Sequence, residues 1–429
     1  MIPTIIISSI TFILITLSIL FFPKIKISKV NISTYWIIAL IGAIILLATS
    51  LAPIKEVWTE LTNNKSINPL KIIVLFFSMT LLSIFLDEVG LFKYLATIAS
   101  KKAKNNQFVL FTIFYFLIAI LTIFTSNDIV ILTFTPFICF FCKRTNINPV
   151  PYLVAEFTAS NTWSMMLIIG NPTNIYLATS HNINFFSYFK VMALPTLVAG
   201  LLEYLLLILL FNKKLKGTIE INNETYIIEN KLALIIGLFH LGICLLFLVI
   251  SNYINIEMYL ISAICALSLL IFIVIFCLFK KCKWSYLGDT LKKLPYPLIP
   301  FFLSMFIVVV AINYQGISLE ISKLLGNNHL IYTYGYSSYL VANLINNIPM
   351  SILYSSLSNN LGAIYASIIG SNIGAFLTPI GALAGIMFTS LVNKHDTKYS
   401  FIDFIKYGVI ISIPVITTSL LMLNVTINF

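Results

Sequence analysis

Two asparagine-centred breaks, Ser126-Asn127-Asp128 and Asn346-Asn347-Ile348-Pro349, interrupt long apolar runs. Each is followed by a second break rich in Gly, Asn and Pro. The first companion runs from Ser160-Asn161-Thr162 through Gly170-Asn171-Pro172-Thr173-Asn174, the second from Gly370-Ser371-Asn372-Ile373-Gly374 through Thr378-Pro379-Ile380-Gly381. Asn, Ser and Thr side chains donate and accept hydrogen bonds without carrying charge, and backbone groups beside Gly and Pro lose their intrahelical partners. Carbonyl and amide oxygens in such a set can ring a cation, while N–H groups at helix N-termini can hold an anion or an oxyacid. The residues expected to bind substrate or ion are Ser126, Asn127, Asp128, Asn161, Thr162, Gly170, Asn171, Pro172, Thr173, Asn346, Asn347, Pro349, Gly370, Ser371, Asn372, Gly374, Thr378, Pro379 and Gly381. A lone Asn, Ser or Thr in an apolar helix ordinarily makes an interhelical hydrogen bond, and Gly370, Gly374, Gly381 and Gly385 also suit close helix packing. Four breaks in two matched pairs favour a site. Pro172 and Pro379 add to it, each expected to remove a backbone donor and to disturb the carbonyl four residues earlier.

Three carboxylates, Asp128, Glu156 and Glu203, fall inside apolar segments, where each is expensive unless paired, hydrated or protonated. Asp128 is the leading choice for a coupling-ion ligand or proton carrier, against the alternative of an N-cap for the helix that follows. Glu156 is the second coupling residue. Glu203, in Leu201-Leu202-Glu203-Tyr204-Leu205-Leu206, suits a structural bond to Tyr or backbone. No Lys or Arg is predicted at the midplane, which favours a neutral, weakly charged or cation-accompanied ligand. The six cysteines and four histidines show no metal-binding spacing, and Cys139-Phe140-Phe141-Cys142 ends an apolar helix, where core packing is the ordinary role. No nucleophile constellation, P-loop or dinucleotide-binding glycine pattern appears, so neither an enzyme nor a cofactor is expected, only a coupling H⁺ or Na⁺.

With 59% hydrophobic and 10% charged residues, the 429-residue chain cannot cover itself with a polar shell. It reads as an all-α polytopic membrane protein of about 11 transmembrane helices. Residues 1–22 lack a basic n-region and a small-residue cleavage site, so they read as a retained helix with its N-terminus outside. The net charge of +11 reflects loop placement rather than a nucleic-acid partner. If the segments holding Lys24–Lys29, Lys93–Lys104, Lys143 and Arg144, Lys213–Lys231, Lys280–Lys293 and Lys394–Lys406 face the cytoplasm, they carry 21 of the 26 basic residues. Lys55, Lys65, Lys71, Lys190 and Lys323 then lie outside.

That partition makes 107–142 a re-entrant hairpin from the cytoplasm with Asn127 at its tip, and 330–358 its counterpart from outside. Residues 129–142 and 350–357, after the two tips, read as too short to cross. The expected organisation is an N-terminal helix and cytoplasmic turn (1–33), a first inverted repeat (34–212, broken helix 150–180), a cytoplasmic linker (213–230) and a second inverted repeat (231–429, broken helix 363–392). Asn127 and Asn346 lie 219 residues apart and Asn161 and Asn372 lie 211 apart, as two repeats with small insertions require. Inverted repeats whose broken helices meet near the midplane are the architecture of secondary transporters.

The motifs resemble those of ArsB-type arsenite efflux permeases of the ion transporter superfamily, nearly end to end. Leu86-Asp87-Glu88-Val89-Gly90-Leu91-Phe92 is similar to that family's LDExGFF segment, and Ser126-Asn127-Asp128 with Thr133-Phe134-Thr135-Pro136 to its first hairpin. Ile345-Asn346-Asn347-Ile348-Pro349 resembles the second hairpin. Residues 365–374 and 377–384, YASIIGSNIG and LTPIGALA, resemble YANVIGxDLGxxxTPIGSLA. The resemblance implies a carrier in the cell membrane that expels As(III) or Sb(III), or a small inorganic oxyacid or anion, driven by protons or membrane potential. It also implies a partner ATPase in some members, and a homodimer is expected. Asn161 and Asn372 stand where arsenite permeases commonly have Asp, and Phe376 near a basic position. These departures bring in the wider superfamily, with its citrate and dicarboxylate carriers and sodium/proton antiporters.

Overall fold

The computed structural model describes residues 1–429 except 23, 28–29, 63–67, 104, 220–226, 252, 280–281, 396, 398 and 428–429. Twenty α-helices carry almost all of the regular structure among the described residues. The first three are α1 (Ile2–Phe21), α2 (Thr34–Ala48) and the short amphipathic α3 (Ile54–Thr62). Then come α4 (Pro69–Glu88), the amphipathic α5 (Leu91–Lys102), two hairpin legs α6 (Gln107–Phe124) and α7 (Asn127–Arg144), the broken pair α8 (Val150–Trp163) and α9 (Pro172–Ser180), and the long α10 (Phe185–Phe211). The second half supplies α11 (Lys231–Ile250), α12 (Met258–Leu278) and the amphipathic α13 (Trp284–Lys293). It continues with α14 (Leu298–Tyr314), the short α15 (Ile317–Leu325), hairpin legs α16 (Leu330–Ile345) and α17 (Asn347–Tyr354), the broken pair α18 (Leu361–Gly374) and α19 (Leu383–Lys394), and α20 (Phe401–Thr426). Eight of the described helices are long and apolar enough to cross a membrane.

Asparagine starts many of these helices. Asn68, Asn106, Asn171, Asn184, Asn230, Asn346 and Asn360 each accept a hydrogen bond from a first-turn backbone N–H, which satisfies a donor that has no intrahelical partner. Ser400 and Asp403 close a capping box on α20. In a chain that turns back repeatedly inside an apolar environment, a short uncharged cap serves each new helix without placing a charge there.

Packing follows the element order. In the first half α8 lies between α6 and α10, and in the second α18 lies between α16 and α20. Each half also crosses to the other: α4 packs on α12 and α2 on α14, while α7 packs on α19 and α17 on α9. Residues 151–163 of α8 and 362–374 of α18 are buried on every face, so these two helices run through the centre and the longer helices shield them.

Several details differ from the sequence expectation. Lys24–Ile27 and Val30–Ser33 form a two-stranded antiparallel ribbon in the stretch expected to be a plain turn, with Ile25 opposite Ile32. Both strands, Lys-Ile-Lys-Ile and Val-Asn-Ile-Ser, alternate polar and apolar residues with the strand period of two. The returning leg expected over 129–142 is longer, because Ser126 is extended and helix begins at Asn127; α7 reaches 18 residues. The linker is docked at its start: Thr218 bridges Asn106, and the Ile219 N–H bonds the Asn105 carbonyl at 2.9 Å. Linker residues 220–226 and the basic residues Lys29, Lys65, Lys104, Lys280, Lys281 and Lys398 lie outside the described residues.

Candidate substrate and ion site

The two broken helices meet, and Asn372 of α18 is where they are joined. Its Oδ1 accepts from the Ser164 hydroxyl at 2.8 Å and from Asn171 Nδ2 at 2.9 Å, both in the break between α8 and α9. Its Nδ2 donates to Asn174 Oδ1 at 2.7 Å and to its own helix at the Ile368 carbonyl, 2.8 Å. Ser371 adds a bond to Thr173 Oγ1 at 3.0 Å. From the first hairpin tip, Asn127 Nδ2 donates to Asn161 Oδ1 at 3.2 Å, and the single Ser164 hydroxyl proton is shared between Asn372 Oδ1 and the Asn161 carbonyl at 2.6 Å. The result is one buried network of amides and hydroxyls through Asn127, Asn161, Ser164, Asn171, Asn174 and Asn372. Among the described residues no Lys, Arg or His side chain bonds to it.

Local sequence explains why the backbone opens here. After Trp163 the chain makes two short 3₁₀ turns, Ser164–Met166 and Ile168–Gly170. A Cβ at Gly170 would lie 2.2 Å from the Ser164 carbonyl oxygen, so this return is closed to any larger residue. Asn171 is extended and caps α9, and Pro172 then occupies the first helical turn. This corrects the expectation for Pro172. Its missing N–H falls where no intrahelical acceptor exists, so it starts α9 rather than breaking a helix around it. Pro379 lies between α18 and α19, outside any helix, and likewise frees no carbonyl within one.

The second hairpin tip is built differently. Asn346 has φ 73° and ψ 153°, a region that essentially only Gly occupies and that costs a non-Gly residue about 1–3 kcal/mol. Its Nδ2 bonds the Ile380 carbonyl at 2.9 Å, and the Asn347 N–H bonds the Gly381 carbonyl at 3.0 Å, which holds the strained tip on the α18–α19 break. Thr378 bonds not to the central network but to Asn343 of α16, through its N–H at 3.1 Å and its hydroxyl at 2.7 Å. Gly370 and Gly374 face α16, where added Cβ atoms would lie 2.0 Å from Ser338 Oγ and 2.9 Å from the Tyr339 carbonyl oxygen. Pro349 is buried in the first turn of α17.

The carboxylates separate. Asp128 follows Asn127 at the first tip and is half-buried; its N–H donates to Asn127 Oδ1 at 2.9 Å, and among the described residues its carboxylate makes no hydrogen bond to the asparagine network. Glu156 is fully buried and accepts from Thr135 of α7 at 2.8 Å, while its Oε2 has no partner. Glu203, fully buried on α10, accepts from the Thr162 hydroxyl and lies 3.2 Å from the Tyr115 hydroxyl of α6. Asp87 and Glu88, at the end of α4, pair with Lys293 of α13.

Sequence reading passed over Ser164, Asn174 and Asn343. Ser164 follows an apolar Trp and belongs to no motif, and Asn343 sits one helical turn before a break. Only Asn174, within the Gly-Asn-Pro-Thr-Asn string, carried a local signal.

A family model described as citrate transporter matches residues 12–363. An arsenical pump membrane protein of Escherichia coli is 25% identical over 410 residues, covering 89% of this chain and 91% of its own length. One of Yersinia enterocolitica is 26% identical over 369 residues, covering 80% and 84%. The crystal structure of the Alcanivorax borkumensis YdaH transporter is similar with a TM-score of 0.55 at 13% identity, covering 100% of this chain and 98% of that one, a likeness of fold. With its apolar helices and central broken pair, the chain is a multi-pass membrane transporter that belongs to the citrate transporter family and resembles arsenical pump membrane proteins along most of its length.

Proposed function

We propose that the protein is a secondary active transporter of the arsenite and antimonite efflux type, working by alternating access between two inverted repeats. The observation that carries this is the chemistry of the buried network. Undissociated As(OH)₃ is neutral and presents three hydroxyl groups, each of which donates and accepts. Amide and hydroxyl side chains offer both functions without charge, so Asn127, Asn161, Ser164, Asn171 and Asn372 can exchange their mutual bonds for bonds to such a solute. A multiply charged carboxylate would need cations that this network does not supply, which weighs against citrate or another dicarboxylate.

The element order supports two repeats. From α4 to α10 and from α14 to α20 the chain runs long helix, short helix, two hairpin legs, two half-helices, long helix. Each hairpin's second leg packs on the other half's second half-helix, as a two-fold relation would require. A cavity of about 290 Å³ lies between α3, α9, α14 and α17, lined by Glu60, Tyr176, Asn313 and Ser355 among others. It touches α9 at Tyr176 and the C-terminal end of α17 at Ile352 and Ser355, and on the charge-based topology it lies toward the outside. Asp128, at the first tip, couples a proton or sodium ion to movement of the hairpin, with Glu156 behind it on α8.

The test is As(III) accumulation in cells that lack arsenite efflux. Expression of correctly inserted protein lowers accumulation; unchanged accumulation overturns the arsenite assignment. Sodium-dependent citrate or succinate uptake into proteoliposomes, with indifference to arsenite, would install the carboxylate reading in its place.

A further inference from the structure

Glu203 is the fully buried carboxyl that the sequence assigned only a structural bond. It sits on α10, and its two oxygens meet two different elements: Oε2 accepts from the Thr162 hydroxyl of α8, and Oε1 lies 3.2 Å from the Tyr115 hydroxyl of α6. Thr162 is the neighbour of Asn161 in the central network, so Glu203 touches the broken helix where that helix holds the first hairpin tip. Among the described residues no Lys, Arg or His pairs with it.

Counting hydrogens around Tyr115 gives the state of the acid. Trp163 Nε1–H can only donate, and it points at the Tyr115 hydroxyl oxygen from 3.2 Å. The single phenolic proton lies between the Gly200 carbonyl at 2.6 Å and Glu203 Oε1 at 3.2 Å, and the shorter contact is the carbonyl. With that proton on Gly200, Oε1 faces an oxygen lone pair. An ionised carboxylate would meet repulsion there, whereas a carboxylic acid donates its own proton to Tyr115 and completes the set. Trp163 seals the site: a Cβ at Gly200 would lie 2.5 Å from its ring, so the indole rests on bare backbone.

We infer that Glu203 is a proton-binding site of the transport cycle, holding a proton between Tyr115 of the hairpin leg and Thr162 of the broken helix. This deepens the proposed function. Release transfers the proton from Oε1 to water and leaves a carboxylate that needs a donor. The Tyr115 hydroxyl then turns from Gly200 to Glu203. Both acceptors lie on α10, so the swap moves the hairpin leg's bond by about one turn along that helix, beside the contact to Thr162 whose neighbour Asn161 holds Asn127, and so links one proton to the hairpin's position.

The titratable neighbours are few. Tyr115 and Tyr204 face the site, their rings 5.1 Å apart, and Tyr204 is further bonded to Thr112 at 2.8 Å. On α8, Glu156 lies six residues before Thr162, about 9 Å along the axis, and is bonded to Thr135. On α20, Tyr407 packs at a tilt against Phe211, about 12 Å along α10 from Glu203, which places Asp403 and Lys406 toward that end. His240 of α11 is engaged by the Ile236 carbonyl and Ser268.

Two readouts test the inference on the full chain. In infrared difference spectra of the purified protein between low and high pH, the deuterium-sensitive C=O band of a protonated carboxyl is expected to be lost in Glu203→Gln, to move in Glu203→Asp, and to persist in Glu156→Gln. An identical band in wild type and Glu203→Gln overturns the assignment, whether or not arsenite proves to be the substrate. In proteoliposomes, wild-type As(III) flux is expected to change about tenfold per pH unit through the titration, the slope one proton gives, and the Gln variant to show no such slope. A wild-type pH profile in Glu203→Gln likewise overturns it, while absent As(III) flux in wild type counts against the proposed function alone and leaves the infrared result to decide.

Discussion

Asn372 shows how much one uncharged side chain can organise in a dry interior. It makes four hydrogen bonds, three of them to the other half of the molecule. Replacing it with Ala strands Asn171 Nδ2 and Asn174 Oδ1 together, Ser164 keeping the Asn161 carbonyl, and each buried group left unsatisfied costs about 1–3 kcal/mol. Asn372→Ala is therefore expected to lower the melting temperature in detergent and to abolish transport, whereas Ser356→Ala, half-buried just past α17 with its hydroxyl bonded to the nearby Leu353 carbonyl, leaves both near wild type. A melting temperature for Asn372→Ala equal to that of Ser356→Ala would remove Asn372 from the centre of the structure. The sequence made Asn161 and Asn372 visible because amides are rare among so many apolar residues. It could not show that Asn372 bonds across some 200 residues, nor that Glu203 meets Thr162, since those partners are chosen by helix packing and not by local spacing.

At the scale of elements, the breaks were legible because Gly, Pro and Asn punctuate helices in any solvent; α8 and α9 lie inside 150–180, while α18 starts two residues before and α19 ends two residues after the 363–392 read from the sequence. The role of each glycine was less so, because packing and chain reversal use the same residue. Gly170 permits the return after α8, while Gly370 lets α18 lie on α16, with Gly335 of α16 in turn covered by Leu420 of α20. A methyl group at Gly370 would lie 2.0 Å from Ser338 Oγ and 2.4 Å from the Gly335 carbonyl oxygen, and the backbone atom cannot rotate away. Gly370→Ala is expected to destabilise the protein by about 1–3 kcal/mol through overpacking. Gly242→Ala, whose Cβ would meet nothing within 4 Å, is expected to be neutral or to stabilise α11 by up to about 1 kcal/mol. Thermal melting of the two variants side by side checks the contrast, and equal melting would mean that α16 and α18 do not approach so closely.

For the whole molecule the decisive property is which side each hairpin enters from, and charge placement carries that prediction. Lys101 precedes the first hairpin and Lys323 the second, both exposed at the ends of short amphipathic helices that occupy corresponding places in the two halves. If the halves are inverted, these two matched positions lie on opposite faces of the membrane. Lys213, after α10, should share the face of Lys101, and Lys190, near the start of α10, should share that of Lys323. Five of the six native cysteines are buried, so replacing half-buried Cys282 with Ser gives a quiet background for labelling. In intact cells a membrane-impermeant thiol reagent is expected to modify Lys190→Cys and Lys323→Cys and to spare Lys101→Cys and Lys213→Cys; inverted vesicles should reverse the pattern. Labelling of Lys101→Cys and Lys323→Cys from the same side would make the halves parallel. The two asparagine tips would then enter from one face, and rocking about a shared centre could not expose the Asn372 network to each side in turn.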